Sequence, residues 1–306
     1  MALLILLGVP LVASLALAFI GARKLAPEVN ILGSAATFAA SIVLALQVYE
    51  RGPILAWNNF FFVDAFSVYL TVLTSFVSMT TAIFSRRYMR REREHGTIGH
   101  RRIRFYHAMF QLFIFAMLLC LLTNNVGILW IAMELATLST VLLVSLYRTP
   151  AAIEAAWKYF ILCGVGIALA LFGTVLLYFA AEKVLGAGGA ALHWTNLSQV
   201  SDQLEPTILS LAFVFLMVGY GTKVGLVPIH NWLPDAHSEG PTPISAVLSG
   251  LLLNIALYAL VRCKVLVDGS TGTHHSGDIM MGFGIISIIV ASFSLLRQKD
   301  IKRLFA

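Results

Sequence analysis

The sequence predicts an all-α, polytopic membrane helix bundle with a broken seventh helix, and three observations support that prediction. Of the 306 residues, 59% are hydrophobic and 12% are charged, with a mean hydropathy of +0.86, whereas soluble domains carry roughly 25% charged residues. Nine apolar windows are each close to the ~20 residues that cross a bilayer core. The seventh window runs into a proline-rich break. We therefore expect a single transmembrane domain over residues 1–306.

The nine predicted crossings follow one another along the whole chain. The first carries its basic residues after the apolar run, whereas a signal peptide carries them in front, so we interpret it as a helix of the mature protein. The windows lie at about residues 3–22, 30–49, 65–84, 107–123, 125–147, 155–181, 207–228, 244–263 and 278–296.

The basic residues predict the orientation. With the amino terminus outside, 15 of the 21 Lys and Arg lie on the cytoplasmic side, four lie on the opposite side, and Lys158 and Lys223 lie inside the membrane. This bias follows the positive-inside rule, so topology explains the net charge of +6 and no nucleic-acid partner is expected. The cytoplasmic set is Arg23, Lys24, the eight arginines from Arg86 to Arg104, Arg148, Arg297, Lys299, Lys302 and Arg303.

The first three crossings carry little predicted chemistry. Small residues between Gly33 and Ser41 offer close packing faces on the second crossing. The aromatic segment 54–64 fits an interfacial belt, and Asp64 is interpreted as a helix cap. The charged run 85–104 is interpreted as a solvated cytoplasmic loop that touches anionic lipid, with docking of a soluble partner as the alternative.

The sequence predicts no metal site, no cofactor and no catalytic centre of its own. Cys120, Cys163 and Cys263 all lie in apolar windows without a Cys-x-x-Cys pair, so we interpret them as small buried hydrophobes. The pair His274–His275 lacks further ligands. No Gly-rich phosphate loop and no serine nucleophile elbow occur.

Three ionisable residues stand at membrane depth on successive crossings: Glu134, Lys158 and Lys223. A carboxylate at the centre of a span costs at least ~2.5 kcal/mol on insertion scales. Lys158 lies close enough to its helix start to snorkel to the interface, which is the alternative to a role in proton transfer. For Glu134 and Lys223 the alternative is a buried ion pair that sets helix register.

The break after the seventh crossing collects helix breakers and titratable groups. Freed backbone groups at membrane depth are tolerated only beside protein or a water-filled cavity, so we expect a hydrated segment here. Its histidines suit proton transfer because their unperturbed pKa lies near neutrality. The breakers are Pro228, Pro234, Gly240, Pro241 and Pro243, and the titratable groups are His230, Asp235, His237 and Glu239.

This region resembles a known family. The string GTKVGLVPIHNWLPDAH at 221–237, followed by GPTPISA at 240–246, is similar to the antiporter-like subunits of the membrane arm of respiratory complex I. The same family includes subunits of Mrp-type sodium/proton antiporters and of group 4 hydrogenases. The segments WIAMEL at 130–135, AWKYF at 156–160 and QKDIKRLFA at 298–306 match it as well. The combination of AWKYFILCGVGIALAL with PTPISAVLSGLLLNIALYAL looks most like the hydrogenase-4 component F type.

The resemblance implies a proton channel built from two inverted five-helix repeats. Residues 3–106 would then be N-terminal helices with the basic loop, residues 107–263 the first repeat, and residues 278–306 the start of the second. In that scheme Glu134 tunes Lys223, the proton-carrying lysine. Ser249 and Asn254 stand where some members carry a histidine or lysine, and members continue beyond the point where this sequence stops.

The leading hypothesis is a proton-translocating subunit of a redox-driven complex in the inner (plasma) membrane. Its implied partners are other membrane-arm subunits and a soluble redox arm. A sodium/proton antiporter subunit and a non-conducting assembly subunit are the alternatives. Expected proton-transfer residues are Glu134, Lys158, Lys223, His230 and His237, with Asp235, Glu239, Ser249 and Asn254 as further relay positions.

Overall fold

The computed structural model describes residues 1–23, 25–272 and 274–305. Lys24, counted above among the cytoplasmic basic residues, and Ala306, at the end of the matching segment, lie outside the described residues. The helices and strands are α1 Ala2–Ile20, α2 Ala26–Arg51, β1 Ile54–Ala56, β2 Phe61–Val63, α3 Ala65–Glu94, α4 His100–Leu122, α5 Val126–Val144, α6 Pro150–Leu185, α7 Trp194–Gln199, α8 Pro206–Val224, α9 Leu233–Glu239, α10 Thr242–Val247, α11 Leu253–Thr271, α12 His275–Arg297 and α13 Ile301–Phe305.

Nine helical spans within the described residues are long and apolar enough to cross a membrane. They coincide with the nine predicted windows, which confirms the predicted fold class. The eighth span, Thr242–Thr271, is assembled from α10, a π-helical turn at Leu248–Leu252, and α11. The ninth span is covered least by the rest of the chain, because Ser276 is its one buried residue.

Close packing of α6 against α8 positions the centre of the bundle. Gly166 on α6 faces Gly219 on α8 so closely that an added Cβ at Gly219 would lie 2.6 Å from the backbone of Ala170, and Gly173 on α6 meets the backbone of Ala212 in the same way at 2.9 Å. Glycine is therefore required here by the approach of two backbones, as in other close helix pairs in membranes. The same approach brings the carboxyl end of α8 against the middle of α6.

One face of α3 is lined with buried hydroxyl groups. Ser75 Oγ lies 2.7 Å from Ser41 Oγ of α2, and Ser78 Oγ donates to Ser34 Oγ at 3.4 Å. The close packing predicted for the small residues of α2 is thus directed at α3. The hydroxyl residues recur at helical spacing and are Ser67, Thr71, Thr74, Ser75, Ser78, Thr81 and Ser85.

The segment between α2 and α3 differs from the simple aromatic belt that the sequence suggested. It folds as an antiparallel hairpin in which β1 pairs with β2 from Ile54↔Val63 to Ala56↔Phe61. Trp57, Asn58 and Asn59 turn the chain with φ of 56°, 52° and 64°, which asparagine tolerates better than most residues. Local strand pairing satisfies backbone groups that an isolated aromatic run would leave open.

The predicted break after the seventh crossing is confirmed. Helix α8 ends at Gly225, which adopts φ of 82°, and the Leu226 N–H returns to the Gly221 carbonyl at 3.0 Å. This left-handed residue followed by a backward hydrogen bond is a typical glycine C-cap. Pro234 and Pro243 then lie in the first turns of α9 and α10, where the missing amide is harmless.

Candidate functional site

Lys223 lies at the centre of the bundle, in the last turn of α8. Its exposed fraction is 0%, and it is the only fully buried lysine in the part of the chain that the structure describes. Its Nζ donates a hydrogen bond to Thr137 Oγ1 on α5. The Thr137 hydroxyl in turn donates to the Met133 carbonyl at 3.0 Å, so its lone pairs are free for the amine.

Aromatic side chains tie the broken segment to this lysine. Lys223 Nζ lies 5.7 Å from the centre of the Tyr159 ring on α6. Trp232, in the break, stacks on Tyr159 with centroids 4.6 Å apart, and its Nε1 donates to the Thr222 carbonyl at 2.8 Å. Tyr159 Oη and Thr140 Oγ1 are 2.7 Å apart. The break is therefore anchored to α5, α6 and α8 around one buried amine.

Glu134 lies on α5 one turn before Thr137 and interacts electrostatically with Lys223. Within the described residues the two form no direct ion pair, and Glu134 Oε2 is buried without a hydrogen-bond partner. The register-setting ion pair considered from the sequence is thus not formed. Thr137 takes the place of the carboxylate as the direct partner of the amine, a role the sequence analysis missed although positions 134 and 137 share a helix face.

Lys158 lies in a different, partly exposed cluster. Its Nζ is 2.8 Å from Glu154 and 3.0 Å from Asp235, and Arg303 of α13 reaches the other oxygen of Asp235 at 3.0 Å. The side chain of Lys158 is 42% exposed, which fits the snorkelling alternative. Asp235 therefore fastens α9 to α6 and α13, whereas the sequence suggested it as a relay position.

The two histidines of the break each keep a free ring nitrogen. His237 is 4% exposed and its Nε2 has no partner, and His230 Nδ1 is buried without one, among the residues described. His230 also lines a cleft of about 450 Å³ between the break, α11 and α12, together with Ser287 and Gln298. Both side chains thus have hydrogen-bonding capacity that water can fill.

The remaining predicted relay positions lie away from these contacts. Ser249 and Asn254 are exposed and hydrogen-bond carbonyls of their own helix, Ala246 at 3.4 Å and Gly250 at 2.8 Å. Glu239 accepts a hydrogen bond from Ser238 at 3.3 Å. The π-helical turn around Ser249 was not predicted, since one extra residue per turn leaves no clear signal in apolar sequence.

A second ionic centre, beside the middle of α11, was missed by sequence reasoning. Asp64 caps α3, as predicted, by accepting from the Ser67 N–H at 2.9 Å. The same carboxylate also binds Arg262 of α11 at 2.6 Å. The guanidinium lies 4.5 to 5.8 Å from the centres of four rings, which favours a cation. These rings are Phe62, Phe66, Trp194 and Tyr258.

Replacing Asp64 by asparagine is expected to lower the thermal stability at pH 7. Burial raises the pKa of Asp64, but hydrogen bonds from Arg262 and Ser67 outweigh it and hold the pKa below its ordinary value. Removing one partner of a largely buried pair costs about 3 kcal/mol or more. Because the folded-state pKa is lowered, this contribution is complete above about pH 4 and is lost as the pH falls through the folded value.

Melting curves of the parent and the Asp64→Asn variant in detergent at several pH values measure this effect. The gap between the two melting temperatures should be widest at neutral pH and should close under acid conditions. A difference in melting temperature that is the same at pH 3 and pH 7 would contradict the ionic interpretation. It would mean that position 64 stabilises the protein only as the cap of α3.

The family described as NADH:quinone oxidoreductase/Mrp antiporter, TM, matches residues 123–306, which include the whole Lys223 site. The chain belongs to this family. A hydrogenase-4 component F homolog of Methylacidiphilum infernorum (isolate V4) is 46% identical over 297 residues, 97% of this chain and 61% of that protein. The resemblance noted from the break is therefore confirmed.

Solved structures share the fold. A chain of the membrane-bound sulfane sulfur reductase, an archaeal respiratory membrane complex, matches with a TM-score of 0.85 and 22% identity over 99% of this chain and 61% of its own length. A chain of respiratory complex I from Thermus thermophilus with bound Aureothin matches with a TM-score of 0.72 and 25% identity. The match covers 100% of this chain and 60% of the complex I chain. This member of the NADH:quinone oxidoreductase/Mrp antiporter family spans about 60% of the length of these relatives.

Proposed function

We propose that this chain is a proton-translocating membrane subunit of a redox-driven complex. The observation that carries the proposal is a fully buried lysine at the end of a broken helix, held by a threonine hydroxyl beside an unpartnered carboxylate oxygen. A membrane interior retains such groups at high cost, and they mark ion pathways or proton relays when they occur. Membership of the family supports the same function.

The chemistry available to the site is exchange of a proton between Lys223 and water. Burial disfavours the charged form of an amine, and a nearby carboxylate favours it. Thr137 rather than Glu134 is the direct partner of the amine. A small shift in the Glu134–Lys223 distance therefore changes the balance between the charged and neutral forms of Lys223 without breaking an ion pair. The Thr137 hydroxyl keeps the amine in place through either state.

The histidines of the break are the proposed stations on one side of Lys223. His230 and His237 each have an unpartnered ring nitrogen, and His230 lines the 450 Å³ cleft. Water in this cleft would connect His230 with the surface. Lys158 is proposed to act indirectly, since its bond to Asp235 holds α9, which carries His237.

The proposed organisation follows the family scheme. Residues 107–263 would form the first five-helix repeat and residues 278–306 would begin the second, with the amino terminus outside and the basic loop in the cytoplasm. The name of the 46% identical relative favours a hydrogenase-type assembly with other membrane subunits and a soluble redox arm. The Mrp part of the family description keeps sodium/proton antiport as the second candidate.

Purification of the tagged chain from its native membranes tests the proposal. We expect membrane subunits and a redox-active soluble subunit to copurify, and we expect substrate oxidation by the complex in sealed vesicles to acidify one side. Proton movement that requires sodium and continues without redox turnover would instead favour the antiporter. A complex that turns over with no proton movement would reject both candidates and leave the assembly role.

A further inference from the structure

A basic cavity lies outside the Lys223 site, at the basic-loop end of the first four spans. We call it the arginine cavity; it has a volume of about 300 Å³ between the end of α1, the start of α2, the last turns of α3 and the second turn of α4. Its polar lining is Arg23, Arg86, Arg90, Arg93, Glu94 and His107. The cavity thus lies where four helices meet the membrane surface.

The arginine cavity has an excess of positive charge, because four arginines and a single acid, Glu94, lie in its described lining. Arg86 pairs with Glu28 at 2.6 Å. Arg23, Arg90 and Arg93 form no ion pair with any residue that the structure describes. Guanidinium groups converging on one space are suited to a phosphate, which each can bind through two parallel hydrogen bonds.

His107 adds a buried polar group to this cavity. Its exposed fraction is 0%, and neither ring nitrogen has a hydrogen-bond partner among the described residues. Buried polar groups are nearly always paired, and the neutral imidazole has one N–H to donate. One turn deeper, Gln111 Nε2 donates to Asn30 Oδ1 at 2.7 Å and to Ser34 Oγ at 3.0 Å, whereas its Oε1 is buried without a partner among the described residues.

We propose that the arginine cavity binds the phosphate of an anionic phospholipid headgroup. Arg90 and Arg93 hold the charge, and His107 donates to the phosphate or glycerol oxygen that enters deepest. A cavity of this size at helix ends admits a headgroup, and basic pockets between helices on the cytoplasmic side bind such groups. Water alone could partner His107, whereas a phosphate would also bind the guanidinium groups beside it. The site is independent of proton transfer at Lys223.

Lipid binding to the full chain in phosphatidylcholine nanodiscs tests this site. Phosphatidylglycerol is titrated in, and retained lipid is counted by native mass spectrometry. The variant R90Q/R93Q should weaken binding by about tenfold or more, because both guanidinium groups would lose their charge-assisted hydrogen bonds to the phosphate. The matched control R87Q/R91Q removes the same charge from exposed positions of α3 outside the cavity and should change binding less than twofold.

Two further arms make the result specific. His107→Leu removes the deep donor and should weaken binding without changing the surface charge, while circular dichroism checks folding. Inorganic phosphate is titrated into lipid discs without phosphatidylglycerol; binding that R90Q/R93Q also weakens would assign the site to soluble phosphate. Equal losses in R90Q/R93Q and R87Q/R91Q, or no loss in either, would overturn the proposal.

Discussion

Replacing Lys223 by alanine is expected to abolish proton translocation while electron transfer by the complex continues in part. The amine is fully buried and contacts Thr137 and the Tyr159 ring. Truncation removes the amine from this point of the path and takes the lysine charge away from Glu134. Protons moved per electron in sealed vesicles, with redox turnover measured in parallel, provide the readout.

Two companion variants separate chemistry from folding. Lys223→Met keeps much of the side-chain volume and removes the amine, so it should assemble and still fail to move protons. Lys158→Gln removes a lysine whose side chain is 42% exposed, and it should retain most of the translocation. Full proton movement by Lys223→Ala or Lys223→Met would refute the role of this residue.

Replacing Gly219 by valine is expected to separate α6 from α8 and to disable the site. A Cβ at position 219 would lie 2.6 Å from Ala170 N and 2.6 Å from the Gly166 carbonyl, and neither backbone group can move without its helix. Overpacking of this kind costs roughly 1–3 kcal/mol, sometimes more. Lys223 lies one turn further along α8, so its bond to Thr137 should be lost and translocation should fall at least tenfold.

Gly164→Val is the matched control for the helix pair. It places the same β-branched side chain on α6, where an added Cβ meets no atom within 4 Å. Both variants carry the same loss of side-chain freedom in a helix, so only the steric contact differs. Melting temperature in detergent and proton movement should both stay near the parent values for Gly164→Val. Similar losses in the two variants would show that the α6–α8 contact does not position Lys223.

Local chemistry explains why the sequence predicted the spans and the break. Apolar length and the backbone limits of proline and glycine are properties of neighbouring residues, so the nine windows and a break near Pro228 could be foreseen, whereas the helix ends a few residues earlier, at Gly225. The cap at Asp64 could be foreseen for the same reason, because it joins Asp64 to Ser67, only three residues away. Glu134 and Lys223 could be singled out because charge is costly anywhere in lipid.

The contacts of those charges could not be foreseen, because each joins residues far apart in the chain. Thr137 meets Lys223 across 86 residues, Asp235 meets Lys158 across 77, and Arg262 meets Asp64 across 198. Many polar residues could satisfy a buried amine or guanidinium, and only helix packing selects one. Helix packing places Lys158 in a partly exposed ion pair with Asp235 and not beside the buried Lys223.

The sequence by itself therefore determined the membrane setting, the number of spans, the broken helix and the two charged residues that are costly at membrane depth. Tertiary structure decided which side chain holds the amine, which charges form ion pairs across the break, and where the arginine cavity opens. The physical reason is that the cost of burying a charge is set by the residue and its depth in the membrane, whereas its compensation depends on which helices come within hydrogen-bond distance.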